Sequence, residues 1–193
     1  GSDIKPGNLI VGLASTGVHS NGLTLARRVL LGDSLEEQKT RINDYEEFLG
    51  QTLGEALLEP TRIYVQPVME MLDAEIDLKA MVHITSGGFC NLNRVQSENI
   101  RCVIDTLQPV PEIFNLIQDR GGVSEAEMFE VFNMGTGFCL IVEGTKEVEA
   151  LTEICKEYDL PCQVIGQVEA CQGKEVTLPQ KQLIGKGSRF ISS

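Results

Sequence analysis

The feature that most constrains the fold of this chain is the segment Met81–Phe89, in which an apolar run enters a polar turn rich in glycine. The apolar and β-branched residues that precede and follow His83 favour a buried strand. Thr85, Ser86, Gly87 and Gly88 come next, and residues 88–95 are predicted to form a helix. Glycine lets the backbone approach a ligand closely, and the N–H groups at the start of a helix attract anions such as phosphate. The segment therefore predicts a strand, an anion-binding turn and a helix, although the same turn residues are also typical of an ordinary turn.

A second segment, Ser15–Gly22, repeats this plan earlier in the chain. The near-continuous apolar run Asn8–Ala14 predicts a buried strand before it. Apolar residues at helical spacing predict a helix over Leu23–Leu31, and Ser20 or Asn21 is expected to cap that helix.

Each of these two turns contains one of the chain's two histidines, His19 and His83. A histidine at such a turn can exchange hydrogen bonds with a bound polar ligand. Each is therefore a candidate catalytic residue, and the alternative is a histidine whose hydrogen bonds are satisfied within its own turn.

The remaining pattern predicts an α+β fold, a layered α/β sandwich with a mixed sheet. Strands alternate with amphipathic helices, but two helices occur in succession and a hairpin is expected near Gly173, so the sheet should not be purely parallel. Ser124 and Glu127 fit a capping box. Further strands are predicted at 79–85, 101–106, 138–142, 161–169 and 173–178, and further helices at 52–58, 67–74, 111–120, 124–132 and 145–158.

The length of 193 residues suits one domain. We interpret residues 1–7 as an expression scar and leader, and residues 8–178 as the domain itself. Residues 32–50 are acidic and polar, which predicts a surface excursion that is partly helical. Residues 179–193 are predicted to be a more basic tail, part of which forms a short edge strand.

Charge and cysteine content narrow the class of protein. The net charge of −12 argues against non-specific nucleic-acid binding, which requires clustered Lys and Arg. No apolar run approaches the roughly 20 residues that span a membrane, and no secretion signal is visible, so we expect a cytoplasmic protein. The six cysteines form no C-x-x-C pair, which favours reduced thiols over a zinc site.

Familiar catalytic motifs do not occur. No turn matches a P-loop or the G-x-G-x-x-G fingerprint, and no serine stands in a G-x-S-x-G frame. The guanidinium group of Arg62 is a candidate to bind a phosphate or carboxylate through paired hydrogen bonds. The alternatives are a solvated arginine and a structural salt bridge. We predict no metal site.

Four ordered stretches together resemble the phosphoribosylformylglycinamidine cyclo-ligase family, also called aminoimidazole ribonucleotide synthetase. They cover nearly the whole chain, from about residue 8 to residue 178, and four motifs in order are far more specific than any one of them. The stretches are Gly12–Gly22, Leu57–Tyr64, His83–Gly88 and Phe132–Gly135. The sequence departs from the family's usual pattern at Ser86, where a third glycine is usual, and at Phe89-Cys90.

The resemblance is to the C-terminal half of that enzyme. It implies an ATP-dependent ring closure that converts formylglycinamidine ribonucleotide into aminoimidazole ribonucleotide, ADP and phosphate. It also implies ATP and Mg²⁺ bound mostly by an N-terminal domain that has no counterpart here, and a homodimer when complete.

The family also implies roles for particular residues. His19, Ser20 and Asn21 are expected near the substrate or the transferred phosphate. A second group is expected around the ribose phosphate, and it consists of His83, Thr85, Ser86, Gly87 and Gly88. Arg62 and Asn133 are further candidates for substrate binding.

Three alternatives stay open. A related ATP-using superfamily shares this two-domain plan and acts on other substrates, but the Leu57–Tyr64 and His19–Gly22 stretches favour the cyclo-ligase. The chain could also be a non-catalytic binding or regulatory module, or a structural domain that offers a dimer surface.

Overall fold

One mixed sheet of eight strands organises the structure, a computed structural model that describes residues 1–192. The order across the sheet is β10-β9-β8-β5-β7-β1-β6-β4, and every neighbouring pair is antiparallel except β5 and β8. A separate two-stranded hairpin consists of β2 and β3. The strands are β1 Leu9–Ala14, β2 Tyr45–Glu46, β3 Gln51–Thr52, β4 Leu78–His83, β5 Ile100–Ile104, β6 Thr136–Val142, β7 Cys162–Ala170, β8 Lys174–Leu178, β9 Leu183–Lys186 and β10 Arg189–Ser192.

Helices cover both faces of the sheet, so the central strands are buried on both sides. Along β1, Ile10 packs into the larger core, whereas Val11 and Leu13 pack into the smaller one with helices α4 and α7. This alternation is the period of two that a strand imposes. The helices are α1 Leu23–Leu31, α2 Leu35–Arg41, α3 Leu53–Leu57, α4 Val65–Asp73, α5 Glu112–Gly121, α6 Glu125–Val131 and α7 Thr145–Glu157, with 3₁₀ helices at Gly88–Arg94 and Pro179–Lys181. The predicted layered fold with a mixed sheet is confirmed.

The hairpin expected near Gly173 is wrong. β7 and β8 are not neighbours, because β5 lies between them and pairs with β8 in parallel. The three-residue connection crosses the start of β5 at Asn99, whose backbone carbonyl accepts from Cys171 N and whose side chain accepts from Gly173 N. A local turn signal reports that the chain reverses, but it does not report which strand lies beside it.

The helix predicted over residues 88–95 is a 3₁₀ helix instead. Its asparagines bond to distant backbone rather than supporting an α-helix: Asn91 Nδ2 donates to His83 O, and Asn93 Nδ2 donates to Gly185 O. Tertiary contacts thus determine the conformation of a segment whose own helix propensity is low.

Two capping predictions also need correction. Helix α1 begins after Gly22, which has a left-handed conformation and makes no side-chain cap, so neither Ser20 nor Asn21 caps it. At α6, Ser124 Oγ accepts from Glu127 N, but within residues 1–192 no return bond from Glu127 completes the box.

The acidic excursion and the tail are more ordered than the sequence indicated. A full capping box between Ser34 and Glu37 starts helix α2 in the excursion. The predicted edge strand in the tail is confirmed, since β9 and β10 extend the sheet and β10 forms its edge.

The domain limits at 8 and 178 stay predictions. Within residues 1–192, every helix is too short or too polar to cross a membrane.

Candidate functional site

The buried side chain of Asn133 holds the first polar turn, residues 15–22, in place through hydrogen bonds. This side chain is 2% exposed, and its Oδ1 accepts from Ser15 Oγ at 2.8 Å and from Gly135 N at 2.9 Å. Its Nδ2 donates to Gly17 O at 2.8 Å. Both the oxygen and the nitrogen of this amide are therefore hydrogen-bonded, as a buried amide requires, and they join the residues before β6 to the turn.

His19 lies in the same turn with a positive φ of 59° and is 5% exposed. Its Nε2 accepts from Thr16 N at 3.1 Å and from Arg62 N at 3.4 Å. An Nε2 that accepts assigns the ring proton to Nδ1, which has no partner among residues 1–192. Burial, with smaller contributions from the charges of His83 and Arg62, lowers the pKa of His19 to about 4. The ring is therefore neutral near pH 7 and serves as an acceptor for backbone.

This depressed pKa predicts a loss of stability in mild acid. The unfolded chain takes up a proton on His19 near pH 6.5, whereas the folded chain does so near pH 4. The stabilisation is therefore complete above about pH 6.5 and is lost as the pH falls toward about 4. Urea unfolding at about pH 7 and about pH 5 should show a smaller decrease for His19→Asn than for the unmodified chain, because asparagine does not titrate and tolerates positive φ. The unmodified chain is the reference for this comparison. A decrease for His19→Asn as large as that of the unmodified chain would contradict the assignment.

Tyr64 connects the two histidines. Its ring centroid lies 6.4 Å from that of His19 and 6.1 Å from that of His83, and 5.3 Å from that of Phe138. The Tyr64 hydroxyl donates to Ala14 O at 2.8 Å, and burial raises the pKa of this phenol. Gly137 makes room for the arrangement, because a Cβ there would lie 2.0 Å from the Tyr64 hydroxyl oxygen. The two predicted histidines thus belong to one aromatic cluster.

The N–H groups of the second turn donate to acceptors within the protein. Ser86 N donates to Asn21 Oδ1 at 3.2 Å, Gly87 N to Glu130 O at 2.9 Å, and Gly88 N to Thr85 O at 2.8 Å. The expectation that these N–H groups are free to attract an anion is therefore wrong, because each already has a protein acceptor.

The bond between Asn21 and Ser86 also joins the two turns directly. Ser20 Oγ lies 3.3 Å from Thr61 Oγ1, which links the first turn to the segment before α4. The sequence placed Ser20, Asn21 and Ser86 in two separate turns, and the fold brings the turns together at one end of the sheet.

Arg62 fits neither alternative considered from the sequence. Its Nη1 donates to the backbone oxygen of Asp159 at 3.2 Å, and its buried Nε has no partner among residues 1–192. No carboxylate in that part of the chain lies within 4.0 Å of this guanidinium.

An apolar groove of about 420 Å³ borders the aromatic cluster. Helix α4 and the edge strand β4 form its walls, and His83 and Arg62 lie at its rim. Five apolar side chains in it are unusually exposed: Ile63 (76%), Val65 (66%), Met69 (51%), Met81 (47%) and Leu72 (41%). Contiguous exposed apolar surface of this kind marks an interaction site more often than a free surface.

The residues described offer no group of three His, Cys, Asp or Glu side chains that could hold a metal ion. All six cysteines are free thiols, and four of them are buried. We assign no chemical step here to a metal.

Comparison with known families settles the ancestry of the fold. Residues 5–179 match the family described as AIR synthase related protein, C-terminal domain. The chain belongs to this family. The match contains both turns, the aromatic cluster and Asn133. It ends before strands β9 and β10.

Relatives of this AIR synthase related domain include curated enzymes. The phosphoribosylformylglycinamidine cyclo-ligase of Methanocaldococcus jannaschii is 46% identical over 170 residues, which cover 87% of this chain and 46% of the relative. That of Alkaliphilus metalliredigens is 41% identical over 187 residues, covering 94% of this chain and 51% of the relative. The chain thus spans about half the length of the curated relatives it matches. Among solved structures, AaThiL complexed with AMPPCP and TMP is similar in fold, with a TM-score of 0.52 and 18% identity, over 97% of this chain and 52% of that one.

Two site features of this AIR synthase related domain were not predicted from the sequence. Tyr64 stands only within the Leu57–Tyr64 stretch, and Gly137 lies between the Phe132–Gly135 stretch and the strand predicted at 138–142, although together they hold the histidines in one cluster. A sequence signal existed for Tyr64, which is one of three tyrosines and follows a proline-containing motif. No local signal pointed to Gly137, because its role depends on a side chain 73 positions earlier in the chain.

Proposed function

We propose that this chain is the C-terminal half of a phosphoribosylformylglycinamidine cyclo-ligase. Such an enzyme uses ATP to close the ring of formylglycinamidine ribonucleotide, forming aminoimidazole ribonucleotide, ADP and phosphate. The observation that carries the proposal is the identity of 41–46% with curated cyclo-ligases over 87–94% of the chain. The two interlocked turns, which lie within the matched region, are consistent with a shared substrate site.

In this proposal the chain's residues bind and orient the substrate. His19 positions the first turn, since its Nε2 accepts from backbone N–H groups and its neutral ring is buried. Asn133 likewise positions this turn and does not contact the substrate. His83 is exposed at the end of β4 and is the histidine that can face a ligand. Ser20, Asn21, Thr85, Ser86, Gly87 and Gly88 are proposed as further substrate-binding residues of the two joined turns, and Arg62 keeps a guanidinium nitrogen without a partner in residues 1–192.

The partner in the proposal is the N-terminal domain of the same enzyme, which would supply ATP and Mg²⁺. The apolar groove supports this, because it exposes Met69 and Met81 next to His83 and lies against the open edge of β4. Covering that groove would enclose the aromatic cluster and exclude water from the substrate. Homodimer formation and a cytoplasmic location stay predictions.

Calorimetric titration of the chain with formylglycinamidine ribonucleotide tests the function. We expect saturable binding that weakens about tenfold or more in His83→Ala, because an exposed contact to the ligand is lost. Val164→Ala, at an exposed strand position away from both turns, should bind like the unmodified chain. Absence of binding, or equal binding in both variants, would count against His83 as a substrate contact.

A second arm repeats the titration in the presence of the N-terminal half of the Methanocaldococcus jannaschii relative. Binding should tighten, and Met69→Glu should abolish the gain by placing a charge in the apolar groove. Leu35→Glu is the matched control, since Leu35 is 63% exposed on α2 and does not line this groove. A gain that survives Met69→Glu would exclude the groove as the docking surface.

A further inference from the structure

A second groove, of about 590 Å³, lies beside the second turn and is lined by three arginines from three separate elements. Arg28 comes from α1, Arg94 from the end of the 3₁₀ helix and Arg189 from the start of β10. Ser86, Gly87 and Gly22 line the same space. We call this the arginine groove. Arg189 lies beyond residue 179, where the family match ends.

The three arginines have no acidic partners within residues 1–192. The chain contains 28 Asp and Glu against 16 Lys and Arg, so carboxylates outnumber basic side chains. Arg101 and Arg120 each pair with a carboxylate at 2.6 Å. For the arginines of the groove, no carboxylate of the described residues lies within 4.0 Å. The one short contact there is from Arg94 Nη2 to Ser86 O, at 3.4 Å.

Two glutamates also line the arginine groove, but one of them is already engaged. Glu130 Oε1 accepts from Phe190 N at 2.5 Å, so this carboxylate fastens β10 and thereby places the neighbouring Arg189. With Glu127 as the second, three arginines minus two glutamates leave a formal charge of +1 in the groove. A local positive sign in a chain of net charge −12 is the property expected of a site for an anion.

The start of α1 strengthens this local field. Its N-cap, Gly22, lines the groove and has no side-chain cap, and no acidic residue occurs in the first turn of this nine-residue helix. The positive end of the helix dipole is therefore not neutralised by the helix's own residues.

We propose that the arginine groove binds a phosphate monoester, with Arg28, Arg94 and Arg189 as its ligands. The inference rests on the proposed function, in which the phosphate belongs to the ribose of the substrate. It replaces the backbone cradle that the sequence predicted, since the N–H groups of Ser86, Gly87 and Gly88 are occupied. Planar guanidinium groups match phosphate oxygens in pairs, so arginines from three elements can surround the anion.

Titration of the chain with three compounds tests the arginine groove. They are formylglycinamidine ribonucleotide, the corresponding ribonucleoside without phosphate, and ribose 5-phosphate. Both phosphate compounds should bind, and the double variant Arg28→Gln/Arg189→Gln should weaken their binding by about tenfold or more, because hydrogen bonds between two charged groups are lost. The ribonucleoside should bind weakly and equally to both proteins. Binding of the phosphate compounds should also weaken as salt rises, since these arginines are exposed.

Arg27→Gln is the matched control. Arg27 neighbours Arg28 on the same helix and is also exposed, but it bonds to Gln38 Oε1 at 2.7 Å and does not line the groove. It removes one positive charge and the double variant removes two, so general electrostatic attraction alone would give Arg27→Gln about half the change in binding free energy of the double variant. All of these side chains are on the surface, and thermal unfolding will verify that each variant folds like the unmodified chain.

The outcomes separate this inference from the proposed function. A loss of ribonucleotide binding free energy in the double variant that is no more than about twice the loss in Arg27→Gln would overturn the arginine groove and leave the proposed function intact. Arginine-dependent binding of ribose 5-phosphate without binding of the ribonucleotide would support the groove and count against the proposed function. Failure of both phosphate compounds to bind would overturn the groove.

Discussion

Replacing Gly88 with alanine is expected to lower the free energy of unfolding by about 3 kcal/mol or more. Gly88 has a φ of +51°, and a Cβ built there would lie 1.8 Å from the backbone oxygen of Phe129. It would also lie 3.1 Å from the oxygen of Phe132. Both atoms belong to the backbone around the end of α6, so the clash cannot be relieved by rotating a side chain. The second turn and α6 would have to separate.

Urea unfolding of Gly88→Ala beside Gly122→Ala isolates the steric cause. Gly122 has a similar φ of +57°, but no atom lies within 4 Å of its Cβ position. Gly122→Ala should therefore cost only the left-handed backbone penalty, about 1–2 kcal/mol. If the two variants lost the same stability, close contact with α6 would not be the reason for glycine at position 88.

Replacing Asn133 with alanine is expected to cost about 2–4 kcal/mol of stability. The change leaves Ser15 Oγ, Gly135 N and Gly17 O without their partner in a site that is 2% exposed. Buried polar groups that lose their partners carry the full cost of desolvation. The first turn should loosen as well, because Asn133 is its connection to the start of β6.

Chemical unfolding and amide hydrogen exchange measure the two effects of Asn133→Ala. Exchange should accelerate at residues 15–19 more than in α7, which lies on the other face of the sheet. Asn115→Ala is the control, since this exposed amide bonds only to Glu112 and should change stability by less than about 0.5 kcal/mol. If Asn133→Ala lowered the free energy of unfolding no more than Asn115→Ala, the buried hydrogen bonds of Asn133 would not stabilise the turn as proposed.

Local pattern was sufficient for the first strand–turn–helix unit. Helix α1 runs from Leu23 to Leu31 as predicted, and β1 differs from the expected strand by one residue. Apolar periodicity determines such elements because neighbouring residues alone decide which face of a helix or strand can be buried. Motif order sufficed for the family as well, since four ordered stretches identify a lineage even where one of them, at Ser86, departs from the usual residue.

The sequence predicted which residues lie at the site better than it predicted what each of them does there. His19 was expected to contact a ligand, yet the structure buries its ring and occupies its Nε2 with backbone N–H groups. The turn at Ser86–Gly88 was expected to offer free N–H groups, yet Asn21, α6 and Thr85 supply their acceptors. Part of each difference comes from partners that are distant in sequence, since Arg62 N donates to His19 and Asn21 accepts from Ser86 N.

What the sequence by itself determined is therefore the set of local elements, the mixed character of the sheet and the family. What only the tertiary structure decided is which elements meet: β5 between β7 and β8, Tyr64 between the two histidines, and three arginines around one groove. The physical reason is that pairing and packing between distant segments depend on which buried faces and hydrogen-bonding groups fit one another across the whole fold. No local window of residues contains that information.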